Sequence, residues 1–274
     1  MTRVAIIYNS EKPKAGTQAR RLKTWLRRHD CVGIIVPSST KKLGAFDFAL
    51  TLGGDGTMLK ASRFLAPARI PVLGINLGTL GFLAETNPDE AYGFLENILK
   101  NGFHAEARPM LSVTVMFKHR SVTNTALNDC IIHSGDNGRV ITLNTAVNGE
   151  FLADYVGDGL IVSTPTGSTA YSLAASGPIV HPHLSVLLLT PICPHTLAQR
   201  PMLISDKHEL TITVGRHAAL QKPVLSLDGQ TNYHLHKGDR IIVTIAETPL
   251  QLIINPKRRY FEVLRAKLKW GERG

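Results

Sequence analysis

The sequence has no apolar run near the roughly 18 residues that a membrane-spanning helix needs, so no membrane partner is expected. VAIIY, at Val4–Tyr8, is too short for the core of a secretory leader. Cysteine is scarce, with Cys31, Cys130 and Cys193 odd in number and far apart. That argues against a disulfide framework and for a reducing, cytoplasmic setting. Acidic residues are few: 21 Asp and Glu against 31 Lys and Arg leave a formal charge of +10. Aromatics are also few, at 6%, and no basic motif interleaved with aromatics and no zinc-finger spacing occurs. A nucleic-acid partner is therefore not expected, and attraction of polyanionic nucleotides accounts for the charge. The basic cluster at Arg20–Arg28 alternates with Leu22, Trp25 and Leu26, as the solvated face of an amphipathic helix does. Neither G-x-x-x-x-G-K-[ST] nor G-x-G-x-x-G is present, which sets aside the two commonest phosphate-binding fingerprints. No G-x-S-x-G elbow supports a hydrolase. Repeats, low-complexity tracts and long linkers are lacking too.

What is present is organised around ALTLGGDGTMLKAS, Ala49–Ser62. FDFALTL ahead of it, Phe46–Leu52, reads as a buried strand of a parallel sheet. Behind it, Met58, Leu59, Ala61, Phe64 and Leu65 recur at helical spacing. Between them Gly53, Gly54 and Gly56 make a turn whose bare N–H groups can approach phosphate oxygens at a helix N-terminus. Asp55 is electrostatically out of place there. It has three possible uses: binding a metal ion, capping the helix, or taking a proton from a substrate hydroxyl.

The first hundred residues alternate strand and helix patterns. Strands are expected at Arg3–Asn9, Gly33–Pro37, Phe46–Leu52 and Pro71–Asn76, with helices at Gly16–Asp30, after GGDGT, and at Pro88–Lys100. This predicts a doubly wound parallel α/β sheet binding ligand at the carboxyl ends of its strands. NLGTLGFLAE, Asn76–Glu85, falls at the same edge. From about Ala105 the pattern changes to period-two runs separated by Gly, Asn and Asp: Leu111–Phe117, Thr125–His133, Arg139–Gly149, Leu210–Gly215 and Asp239–Glu247. Those predict an all-β, mostly antiparallel second domain. Helical spacing returns at Tyr260–Lys269. The expected division is residues 1–104, joined by a returning 256–274 segment, and residues 105–255.

GDGLIVSTPTGSTAYSLAASGPIVHP, Gly157–Pro182, is the second dense stretch. Ser168, Thr169, Tyr171 and Ser172 offer hydroxyls, while Ala170, Ala174, Ala175 and Gly177 are small. Composition alone leaves two readings open, a capped and tightly packed helix or a site with room for a flat ring. His181, His183, Cys193 and His195 close no four-ligand metal pattern. Trp25 and Trp270, at helical positions, read as core.

GGDGT alone resembles the signature of NAD kinases, diacylglycerol-type lipid kinases and, more loosely, phosphofructokinases. GGDGT, NLGTLGFL, LNDCIIH, the TPTGSTAYSLAASGP block, PHTLAQRP and SLDGQT follow one another in the order found in ATP-NAD kinases of bacterial type. The resemblance runs from Leu52 to about Thr231. It implies an α/β domain joined to a β-sandwich with the tail packing back on the first domain. It also implies ATP and NAD as substrates, a divalent ion such as Mg²⁺, and a homodimer or homotetramer. Asp55 falls at the general base facing the 2′-hydroxyl of the adenosine ribose, beside Gly56. Lys60 falls at a basic nucleotide contact, Phe82 in the loop of the same edge, and Asn128 with Asp129 at the substrate-binding Asn-acid pair. Most members carry Glu at the second place of that pair, so Asp129 is a departure. The resemblance further implies contacts from Arg139, Val156, Asp158, Thr169, Ala170, Tyr171, Ser172, Leu173, Ala174 and Gln230. A lipid kinase using the same turn, and a nucleotide-binding regulator without turnover, remain as alternatives.

Overall fold

In the computed structural model, residues 1–37, 40, 43–78, 81–135, 140–215 and 222–270 are described. In chain order they form β1 (Arg3–Tyr8), α1 (Pro13–Arg28), β2 (Val32–Val36), β3 (Phe48–Gly53), α2 (Asp55–Leu65), β4 (Val72–Asn76), α3 (Pro88–Asn101) and β5 (Ala105–Arg108). There follow β6 (Leu111–Met116), β7 (Ser121–Ala126), β8 (Asp129–His133), β9 (Ile141–Val147), β10 (Glu150–Gly157) and β11 (Gly159–Ser163). A 3₁₀ turn (Thr166–Thr169) and the short α4 (Tyr171–Ala174) come next. The chain continues through β12 (Val186–Ile192), β13 (Met202–Ser205), β14 (Leu210–Val214), β15 (Val224–Leu227), β16 (Thr231–His234) and β17 (Arg240–Ile245). It ends with β18 (Leu250–Ile253) and α5 (Tyr260–Leu268). The chain divides into two compact units, residues 1–107 with 249–274 and residues 108–248.

In the first unit the strands lie in the order β2-β1-β3-β4-β18-β5. β1 pairs in parallel with β2 and β3, and β3 in parallel with β4. β4 also pairs in parallel with β18, through Leu252 and Val72. β3 and β4 are buried on both faces, which is why they read as unbroken apolar runs rather than alternating ones. Helix α1 turns Ala19, Leu22 and Leu26 inward, all fully buried, at the spacing of one helical face. Each leucine so buried stabilises the unit by roughly 1.5–3 kcal/mol. Trp25 is half-buried and stacks on His29 at 3.9 Å. Helix α3 starts at Pro88 because Asn87 caps it, its side chain accepting from the N–H groups of Asp89 and Glu90. Strand order reverses between β1 and β3, and the carboxyl end of β3 opens there, the usual ligand position in such sheets.

The second unit holds two six-stranded sheets, β10-β9-β14-β17-β6-β7 and β13-β12-β11-β8-β15-β16. Every registered pair in them is antiparallel. One core cluster draws Val113, Val115, Leu143, Ile212 and Ile241 from the first sheet and Ile132, Leu160, Val162, Leu189 and Leu225 from the second. The two inner faces therefore form a sandwich.

The run Thr125–His133, expected as one strand, is two. β7 pairs with β6 in one sheet, β8 pairs with β11 and β15 in the other, and the chain changes sheets at Leu127 and Asn128. The reason is a distant carboxylate: Asp228 accepts from the N–H groups of Leu127 (3.0 Å), Asn128 (2.8 Å) and Asp129 (3.3 Å). Those donors are thereby taken out of the ladder.

Candidate functional site

In the first unit, Gly54 occupies the N-cap of α2 in an extended conformation and Asp55 is the first helical residue. The capping use considered for Asp55 does not hold. Its carboxylate instead reaches a loop 27 and 28 residues on, accepting from the N–H of Phe82 at 2.9 Å and of Leu83 at 3.2 Å. Each oxygen keeps a lone pair for another donor. The crossing is close: a Cβ at Gly81 would lie 2.0 Å from an Asp55 oxygen, and one at Gly53 2.0 Å from the Thr57 hydroxyl. Neither position admits a side chain without displacement. Gly56 and Lys60 are exposed on the first turns of α2, and Phe82 is half-buried.

In the second unit, the alternation along β8 sends Cys130 and Ile132 into the sandwich core. Asp129, Ile131 and His133 therefore share the opposite face. Register sets Ile161 and Ser226 opposite Ile131. On that face a cavity of ≈ 310 Å³ is lined by Ile131, His133, Ser134, Asp158, Tyr171, Ile192 and Ser226. Tyr171 is 49% exposed and offers an aromatic face.

Asp129 is 3% exposed. Burial, then the neighbouring Asp228, pushes its carboxyl up to about 7, against a hydrogen bond from the backbone of Tyr171. Asp129 thus titrates near neutrality. The backbone before it is fixed from both sides. Thr164 donates its hydroxyl to the Leu127 carbonyl (2.7 Å) and its N–H to the Asn128 carbonyl (2.9 Å). The Ser163 hydroxyl also donates to the Asn128 carbonyl (3.2 Å). A Cβ at Gly167 would stand 2.1 Å from that same carbonyl oxygen, so the TPTG turn can lie on Asn128 only with glycine there.

The small and hydroxyl residues that follow divide between two uses. Ser172 is fully buried and bonded to the Thr190 hydroxyl at 2.8 Å. Ser168 bonds to the Pro165 carbonyl and to the Val180 N–H. The first holds α4 on β12, and the second ties the 3₁₀ turn to the segment at Val180. Thr169, Ala170 and Leu173 are half-buried and Ala174 is exposed. The Val156 carbonyl accepts from the N–H of His195, and Gln230 turns the chain between β15 and β16, its N–H on the Leu227 carbonyl. Of the residues singled out in the sequence, Asp158 and Tyr171 line the cavity and Arg139 lies outside the described residues. Asp228 and the cavity walls Ile131, His133, Ser134, Ile192 and Ser226 were not singled out. The alternation in DCIIH carried the signal for Ile131 and His133. Asp228 stood inside the quoted SLDGQT.

A glycine turn opening a helix, with its carboxylate pinned across a loop, and a cavity of mixed polar and apolar lining on a β unit are parts of a nucleotide-binding protein. Comparison with known proteins is more specific. Residues 39–103 match the ATP-NAD kinase N-terminal domain and residues 127–254 the ATP-NAD kinase C-terminal domain. The NAD kinase of Geobacter metallireducens is 42% identical over 290 residues, covering 100% of both chains. That of Moorella thermoacetica is 41% identical over 283 residues, covering 99% of this chain and 90% of its own. Among solved structures, an NAD kinase from Archaeoglobus fulgidus in complex with ATP superposes with a TM-score of 0.81 at 27% identity, covering 98% of this chain and 99% of that one. Yeast NADH kinase complexed with NADH shares the fold, with a TM-score of 0.85 at 24% identity over 100% of this chain and 89% of that one. The chain belongs to the ATP-NAD kinase family.

Proposed function

We infer that the protein phosphorylates NAD with ATP, placing the γ-phosphoryl group on the 2′-hydroxyl of the adenosine ribose to give NADP. The observation that carries this reading, beside the family match, is the Asp55 carboxylate fixed by two loop N–H groups where the glycine turn opens α2. Asp55 would orient the acceptor hydroxyl and take its proton as the new O–P bond forms and ADP leaves. The N-terminus of α2, which the glycine turn opens, suits donor phosphates. In the second unit, Asn128 and Asp129 are proposed as substrate contacts and the cavity beside Tyr171 and Asp158 as a wall of the NAD site. The family match does not favour the lipid-kinase and regulator alternatives.

A divalent ion is part of the proposal. Among the described residues no group of three or more His, Cys, Asp or Glu side chains could hold one. Asp55 would offer a carboxylate oxygen to an ion such as Mg²⁺ carried on the ATP phosphates. When bound it would supply charge neutralisation at the transferring phosphoryl group.

We also propose that the chain works in the cytoplasm, supported by its three free cysteines. Among the described residues no helix is long and apolar enough to cross a membrane. Assembly into a homo-oligomer is supported by edge strands β10 and β13, which expose Phe151 (67%), Met202 (42%) and Leu203 (46%).

The test is incubation of purified protein with ATP, Mg²⁺ and either NAD or diacylglycerol. NADP should form and phosphatidic acid should not; the reverse outcome would overturn the reading.

A further inference from the structure

The loop that pins Asp55 is itself held by the returning tail. Arg258 donates from Nη2 to the carbonyl of Gly81 at 2.5 Å, the residue directly before the two N–H donors to Asp55. Its Nη1 lies 3.9 Å from the Glu85 carboxylate, and both side chains are buried, at 10% and 8% exposure. Glu85 in turn accepts from the Asn255 N–H, while the Asn255 side-chain amide donates to the Glu85 carbonyl, each at 3.3 Å. Glu85 is tied to the sheet as well, its N–H donating to the Gly74 carbonyl in β4. The loop from Gly81 to Glu85 is therefore clamped at both ends by one segment, Asn255 to Arg258. Asp55 is close enough for its charge to act on the guanidinium; burial lowers the Arg258 pKa, and Glu85 and then Asp55 oppose that.

A buried arginine is costly unless it is paired. Stability alone is a poor account of this one, because an apolar side chain of similar volume would pack there at no such cost. We infer that Arg258 is a positioning residue for the phosphoryl transfer: through Gly81 it sets the two N–H groups that aim the Asp55 carboxylate. This rests on the reading of Asp55 as the catalytic carboxylate. One arm of the planar fork bonds the Gly81 carbonyl while the other faces the Glu85 carboxylate at 3.9 Å, and an ammonium group cannot reproduce that geometry.

The experiment compares Arg258→Ala, Arg258→Lys and Asp55→Asn, singly and combined, in the full chain, with direct NAD binding, melting temperature and steady-state kinetics. Arg258→Ala should lower kcat about 10- to 100-fold, the scale of a misplaced catalytic group, with NAD affinity within about threefold of wild type. Arg258→Lys should lie between the two, and millimolar guanidinium should restore part of the Ala variant's kcat. In the Asp55→Asn background, Arg258→Ala should add little, since the carboxylate it aims is gone. Should the Ala variant fail to fold, Arg258→Gln replaces it in the same comparison. Wild-type kcat in the Ala or Gln variant, or losses that multiply with Asp55→Asn, would overturn the inference. Asp55→Asn with wild-type turnover would instead strike down the catalytic reading of Asp55, a separate result from failure of the clamp.

Discussion

At the scale of single residues, the decisive groups are carboxylates held by backbone N–H donors. Asp55 carries the sharpest prediction. Asp55→Asn keeps the shape but cannot accept a proton, so kcat should fall roughly 10²- to 10⁴-fold, while directly measured NAD affinity changes much less. A Mg²⁺ titration separates proton transfer from metal recruitment, because excess Mg²⁺ rescues only the latter. Asp129 carries a pH prediction. Its folded-state pKa of about 7 stands above the ordinary carboxylate value, so between about pH 4 and pH 7 the folded state binds the extra proton. Its contribution to stability is thus present below pH 4 and lost as pH rises through 7. Asp129→Asn should flatten that part of the stability profile, measured by denaturant unfolding from pH 4 to pH 8. An unchanged profile would mean that Asp129 ionises normally. As a substrate contact, Asp129→Ala should raise KM for NAD about tenfold or more, the scale of one charge-assisted hydrogen bond, whereas Asp129→Glu, the residue most relatives carry, should remain active.

At the scale of elements, two crossings of glycine against backbone or carboxylate hold the structure where its chemistry is proposed. One is Gly81 over Asp55 and the other Gly167 over the Asn128 carbonyl. Gly167→Ala would force a methyl group against backbone and should cost about 1–3 kcal/mol, as overpacking does. It should also weaken NAD binding through Asn128. Urea unfolding and a binding titration would read the two effects, and a neutral substitution would show that the TPTG turn can move away. The same segment depends on Asp228. Asp228→Ala leaves three N–H groups of the chain between β7 and β8 without their acceptor, with a cost of order 3 kcal/mol. Asp228→Asn keeps one acceptor oxygen and removes the charge beside Asp129, so it should be milder and should bring the Asp129 pKa down.

At the scale of the whole molecule, the exposed apolar side chains of β10 and β13 are the surface on which the proposed assembly is tested. Light scattering at micromolar concentration should report a dimer or tetramer. Phe151→Lys or Leu203→Lys should lower that mass if those edges are the contact. A monomeric mass at full activity would count against assembly.

What the sequence determined by itself was whatever depends on neighbours along the chain. The strand–glycine turn–helix around Asp55 was legible because apolar spacing and glycine placement are local signals, and the α/β-then-β division because period 3.6 gives way to period 2. β12 was not legible, since Pro191 breaks its run; the structure sets that residue opposite Leu160 of β11, past the end of the β13 pairing. β18 is four residues long, and only the tertiary structure sets it in the first sheet, against β4. Tertiary structure alone decided the long-range pairings: Asp55 with Phe82, Asp228 with the Leu127–Asp129 backbone, and Arg258 with Gly81, separated by 27, about 100 and 177 residues. Hydrogen bonds to backbone N–H and C=O groups demand no particular residue at the backbone partner, so they leave no pattern in the sequence to read.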